Sequence, residues 1–200
     1  IQYHEGFFFF FSIGANTGGS GNASLFKINP KTGAIVGTYN AGTNSSGNGL
    51  TGFCIQDGKA YVCHNLFLSG NTGVDIVSLD TMTLLQNVPL GAGAGRNTVC
   101  DGDYIYIGLE TADKLKKFDI ATKTVSDVYT FTSGSKPFRS AYFNKNIYVA
   151  LFNSYAIAVI SPSGSLLATI STGSGSKPNW FAQSQTRLFC SLYGTHKAVE

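Results

Sequence analysis

Two hundred residues are one domain's worth of chain, enough to bury a core without metal or disulfide staples. Only 12% of residues are charged against 43% hydrophobic, and the net charge of +3 comes from scattered Lys and Arg. No basic face with interleaved aromatics is present, since Lys114, Lys116 and Lys117 sit beside Asp113 and Asp119, and no apolar run reaches the ~18 residues of a membrane-spanning helix. These readings set aside nucleic-acid partners and membrane insertion. A surface wetted by Ser, Thr, Asn and Gly rather than by charge points to an exported, glycosylated or polymeric protein, extracellular or at the cell surface. The first residue, Ile1, is not Met, which fits a processed chain or a piece of a longer one.

In chain order, IQYHE and GFFFFFSIG read as the first pair of strands, the run Phe7 to Phe11 having strand length. Gly-rich GANTGGSGNAS (14 to 24) lacks the Gly-Lys-Ser/Thr ending of a phosphate loop and reads as a connection. SLFKINPKTGAIVGTYNAG follows as a hairpin turning at Asn29-Pro30. TGFCIQDGKAYVCHN turns at Asp57-Gly58, and VDIVSLDTMTLLQNVPLG turns at Asp80-Thr81. NTVCDGDYIYIGLE turns at Asp101-Gly102, and LKKFDIATKTVSDVYTF turns at Asp119 to Thr122. FRSAYFNKNIYVALF and AIAVISPSGSLLATIST form the next two hairpins, the second turning at Ser161 to Gly164. NWFAQSQTRLFCSLYG and THKAVE close the chain. Asp-Gly between alternating hydrophobics is a strong hairpin signal, because Gly accepts the positive φ of tight turns.

The pentapeptide SGSKP occurs at Ser133 to Pro137 and again at Ser174 to Pro178. A period of about 40 residues, filled by four short strands and no helix, is the sequence form of a β-propeller blade. SGSKP then links the outer strand of one blade to the inner strand of the next. The fold class read from this is all-β, a β-propeller of about five four-stranded blades in one domain over 1–200, with the last blade incomplete. The count leaves three options open: five blades with one imperfect, further blades in a longer chain, or an edge completed by another chain.

The same pattern, an SGSKP-like link, an apolar strand, a turn, and strands such as IYVALFN and IAVISPSGSLLATIST, resembles the YVTN-type β-propeller repeats, related in style to NHL and quinoprotein-like propellers. Tyr61-Val62-Cys63, Tyr106-Ile107-Gly108 and Tyr148-Val149-Ala150 stand in the eponymous motif, and the resemblance covers roughly residues 7 to 200. It implies the fold. It also implies that lyases and lactonases on this scaffold carry His or carboxylate ligands around the central channel. Here the histidines are His4, His64 and His196, and the glutamates are Glu5, Glu110 and Glu200. His64 and His196 are expected near one rim as turn or surface residues, so the expectation is no catalytic residue, no metal and no cofactor.

Asp101-Gly-Asp103 reads as a turn rather than a calcium loop, which needs further carboxylates. Cys54, Cys63, Cys100 and Cys190 lie in apolar runs without zinc spacing, and read first as buried thiols. If one disulfide forms, Cys54 and Cys63 on one hairpin are its leading pair. Trp180, Phe138, Tyr142 and Tyr193 are the aromatics that could stack on a sugar, against the plainer reading of core between blades. Asn22 and Asn44 begin glycosylation sequons in Gly/Ser-rich stretches. The strand expected at Thr195, His196, Lys197, Ala198, Val199 and Glu200 lacks a successor, and unpaired edges are templates for association. The functional expectation is therefore a non-enzymatic extracellular interaction propeller that self-assembles by strand addition between this edge and the Phe7 to Ile13 region. A carbohydrate-binding propeller and a fragment of a lyase or lactonase are the alternatives.

Overall fold

A computed structural model of the protein describes residues 1–12, 22–43, 48–66 and 71–200. Among these, every regular element is a strand, and none is a helix long and apolar enough to cross a membrane. The chain divides into two compact units, Ile1–Thr98 and Val99–Glu200.

The first unit holds two antiparallel sheets, each running in chain order. One contains β1 (Gln2–His4), β2 (Phe7–Ser12), β3 (Asn22–Ile28) and β4 (Ile35–Thr43). The other contains β5 (Asn48–Gln56), β6 (Lys59–Leu66), β7 (Asn71–Ser78) and β8 (Leu84–Ala92). Phe9, Leu25, Leu50, Val62 and Val77 form their shared core. The β5–β6 turn has positive φ at both Asp57 and Gly58, the left-handed pair that matches the twist of a two-residue hairpin.

β9 (Gly95–Cys100) leads into the second unit and pairs in a sheet with β10 (Tyr104–Leu109), β11 (Lys114–Asp119) and β12 (Val125–Thr130). β13 (Pro137–Phe143), β14 (Asn146–Leu151), β15 (Ala156–Ile160) and β16 (Leu166–Ser171) make the next sheet. The last has only β17 (Pro178–Gln183), β18 (Leu188–Leu192) and β19 (Lys197–Val199). Tyr106, Leu115, Ile147, Val149 and Ile160 supply the core here. Five antiparallel meanders with short links are the blades of a β-propeller, the last of them with three strands.

The two SGSKP copies take one backbone conformation. Gly134 and Gly175 have positive φ, as do Lys136 and Lys177, and Pro137 and Pro178 each begin the first strand of a blade. Lys136 O accepts from Phe152 N at 3.0 Å, and Lys177 O accepts from Tyr193 N at 3.1 Å. A second bond in each copy, Asn153 N to Ser135 O at 3.2 Å and Gly194 N to Ser176 O at 2.8 Å, ties the link twice to the residues that follow the second strand of its blade.

Three expectations need correction. The Phe7 to Ile13 stretch is not an open edge along its length: β2 pairs with β1 at Phe7 to Phe9 and with β3 at Phe8 to Ser12, the β1 register ending at Phe9, while Ile13 lies outside the described residues. No disulfide joins Cys54 to Cys63. The register sets Cys54 opposite Tyr61 and Cys63 opposite Gly52, a diagonal rather than a facing pair, and all four cysteines remain thiols. In the second blade the turn equivalent to Asn29 and Asp119 starts at Ser78, not Asp80. Ser78 N donates to Thr83 O and its carbonyl accepts from Met82 N, as Asn29 does with Ala34 and Gly33 and Asp119 with Thr124 and Lys123.

Candidate functional site

In the second unit, the sheet of β17 to β19 stops one strand short. β19 is paired only with β18, through Cys190–Val199, Ser191–Ala198 and Leu192–Lys197, so its other side presents an open ladder edge among the described residues. Of the expected assembly edge, Lys197, Ala198 and Val199 are strand, while Thr195 and His196 form the turn that enters it, His196 with φ of 54°. Glu200 is held by Arg187, whose Nε lies 3.4 Å from its carboxylate. Beside this edge runs a groove of about 520 Å³, walled by Phe143, Tyr148, Ile157, Ile170, Phe181 and Val199 among others. Its apolar character continues onto β16, where Leu166, Leu167 and Ile170 are exposed. Cys190 also lines it, and burial pushes that thiol up to about 11, so it stays protonated and is a poor nucleophile at neutral pH.

Three of the four proposed sugar-stacking aromatics come near one another. Phe138 packs on Phe152 at 5.2 Å between centroids, and Phe152 meets Tyr193 at 6.4 Å. The Arg139 guanidinium lies 4.4 Å over the Trp180 ring and 5.6 Å over Phe138. Trp180 and Tyr193 are exposed, at 48% and 62%. Tyr142 stands apart, stacked on Tyr106 at 6.4 Å against the blade core. Asn22 opens β3 with its side chain outside what the structure describes, and Asn44 lies outside the described residues altogether.

The Asp101 carboxylate is consumed by its own hairpin: Oδ1 accepts from the backbone of Asp103 and Tyr104, and Oδ2 from the Tyr106 hydroxyl at 2.8 Å. That is turn chemistry, as read from the sequence.

The first unit holds a polar cluster that sequence reasoning found only in part. His64 lies inside β6, not after it, and its ring sits over Gly73, where a Cβ would come within 2.6 Å of Nε2. Asp75 is 5% exposed. Its Oδ2 accepts the Tyr39 hydroxyl at 2.7 Å, its Oδ1 accepts Asn87 Nδ2 at 2.6 Å, and His64 Nε2 lies 3.4 Å away. Burial raises the affinity of this carboxyl for a proton, but the His64, Asn87 and Tyr39 contacts outweigh it and hold the pKa below the usual carboxylate range. Burial first, then the bond to Asp75, pushes the Tyr39 hydroxyl above the usual phenol range. A pocket of about 320 Å³ opens onto the cluster. Asp75 is not singled out from the sequence, where its one signal is a charge inside the apolar run VDIVS; Tyr39 and Asn87, the former on another sheet, carry no such mark.

Among the described residues no group of His, Cys, Asp and Glu is arranged to hold a metal ion. No protein-family model matches the chain, and no curated protein matches it. Solved structures do. Virginiamycin B lyase from Staphylococcus aureus is 13% identical with a TM-score of 0.70, over 94% of this chain and 64% of that one. A streptogramin B lyase structure is 12% identical with a TM-score of 0.72, over 90% and 58%. Kuenenia stuttgartiensis hydrazine synthase is 13% identical with a TM-score of 0.71, over 89% and 64%. The likeness is one of fold: this chain is a β-propeller. It spans less than two thirds of the length of each of these structures. The YVTN-type resemblance read from the sequence motifs has no matching family model behind it, and the solved structures support the propeller fold alone.

Proposed function

We propose that this propeller is a non-enzymatic interaction module acting outside the cell, which associates with further copies of itself by adding an extended segment to the edge of β19. The observation that carries the reading is the three-stranded last sheet beside an apolar groove, where the preceding blades have a fourth strand. Backbone pairing along β19 supplies directionality, and the exposed Leu166, Leu167 and Ile170 on β16 supply apolar area. The arriving strand is expected to be weakly charged like the fourth strands already present, of which LLATIS, LLQNVPLGA and IVGTYNAGT are uncharged and VSDVYT carries one Asp. A surface with few charges supports placing the association outside the cell.

Sedimentation of the natural polypeptide over a range of concentrations tests this. Concentration-dependent association is expected, weakened by Ala198→Pro, which puts a residue without N–H into the edge, and by Ile170→Lys in the groove. A monomer at every concentration, or association indifferent to both changes, contradicts it and assigns the fourth strand to the same polypeptide.

The exposed rings of Trp180 and Tyr193 favour a second reading, stacking on glycans. Binding on a glycan array that disappears with Trp180→Ala supports it; the absence of array binding removes it.

A further inference from the structure

The pocket of the first unit contains an electrostatic imbalance. Asp75 is buried, yet no Lys or Arg among the described residues bridges to it; its partners are the neutral Tyr39 hydroxyl and Asn87 amide, with His64 3.4 Å away. Asn87 Nδ2 donates to Asp75 Oδ1 at 2.6 Å and stands 3.0 Å from His64 Nε2, so the amide and the ring converge on one carboxylate oxygen. Apart from that ring, the cluster holds one negative charge and no positive one. A buried carboxylate without a Lys or Arg partner gains from a cation brought into the same low-dielectric site.

The rest of the lining is apolar and small: Ala23, Ala41, Gly49, Leu50 and Leu84. At about 320 Å³ the space lies at the lower end of small-molecule clefts, too small for a folded partner and adequate for a compact organic molecule. Gly73 makes the seat, because a side chain at that position would meet the His64 ring at 2.6 Å.

We propose that this pocket binds a small organic ammonium ion, a primary amine on a compact apolar body, with Asp75 as its counter-ion and Leu50, Leu84, Ala23 and Ala41 as its walls. The ammonium approaches the carboxylate beside Asn87 and the His64 ring. This site is independent of the β19 edge, so either reading survives the loss of the other.

The test uses three ring compounds of one shape, cyclohexylammonium, cyclohexanol and cyclohexanecarboxylate, titrated by ligand-observed NMR at about pH 8, above the ordinary imidazole range. The ammonium is expected to bind about ten-fold or more tighter than the alcohol, since a charge-assisted bond replaces a neutral one, and the carboxylate is expected not to bind. Asp75→Asn should erase the preference. Leu84→Trp, at a residue 49% exposed and outside the hydrogen-bond cluster, should block the pocket while leaving Asp75 and its partners in place. Equal binding of ammonium and alcohol, no binding of the ammonium, or binding untouched by Leu84→Trp overturns the proposal.

Discussion

The fourth and fifth blades carry the same first two strands and part at the third. In the fourth, β15 lies between β14 and β16 and is buried at all five residues, Ala156 to Ile160. In the fifth, β19 holds the same place with one neighbour, and Lys197 and Ala198 are exposed while Val199 is half-buried. The sequences follow the surroundings: AIAVI where both ladder edges are used, KAV where one is not. In this pair the third strand is fully apolar where a fourth covers it, although the covered β11, KLKKFD, also carries lysine; on β19 a lysine serves to keep an edge from indiscriminate pairing.

The largest effect expected from this contrast comes from truncating each third strand in turn. Ile160→Ala removes a fully buried side chain from the fourth-blade core and should cost about 2–5 kcal/mol, whereas Val199→Ala should cost about 1 kcal/mol or less. Denaturant unfolding measures both, and equal losses would break the comparison. Next comes Gly194. A Cβ there would sit 1.8 Å from the Gly175 carbonyl oxygen, so Gly194→Ala should destabilise by about 1–3 kcal/mol. Its counterpart beside the first SGSKP link is Asn153, whose N–H makes the corresponding bond to Ser135 O, and Asn153→Ala should stay within about 0.5 kcal/mol.

A smaller effect separates the two links themselves. Asp113 accepts from Gly134 N at 2.7 Å and Lys136 N at 2.8 Å, anchoring the first SGSKP by its carboxylate. The second has Tyr155 in that place, with a Thr172–Ser176 hydroxyl pair at 2.6 Å instead. Asp113→Ala should therefore cost about 1–2 kcal/mol, and Ser176→Ala about 1 kcal/mol or less, by the same unfolding measurement. The smallest is a pH slope. Burial favours the protonated Cys190 thiol, so the folded state holds its proton more tightly than the unfolded chain. Stability from this source is complete below the ordinary thiol value of about 8.5 and declines as pH rises through about 11. Cys190→Ala should flatten that part of the stability curve.

Much of the fold was legible because it repeats. Apolar runs of strand length mark β10, YIYIGL, and β14, NIYVAL, and the turns at Asp57-Gly58 and Asp101-Gly102 fall where their residues require. The slip from Ser78 to Asp80 has a local cause: LDTMT offers an Asp two residues after the serine that opens the turn, and Met82 takes the positive φ that Gly33 takes in the first blade. The edge at β19 could be counted out strand by strand, while the edge assigned to Phe7 to Ile13 does not hold over Phe7 to Phe9, where the short strand Gln2–His4 pairs with β2. The Asp75 cluster was opaque because Tyr39 reaches Asp75 from another sheet and Asn87 from a strand whose residues are mostly exposed. Contacts between sheets leave no period in a single chain.

The most direct test of the central claim is amide hydrogen exchange over residues 195 to 200 of the natural polypeptide, followed at low and at high protein concentration. Strand addition between copies predicts that the β19 amides become protected as concentration rises while those of β15 stay protected throughout. Protection of β19 that is the same at every concentration, or its absence at all of them, would contradict the account.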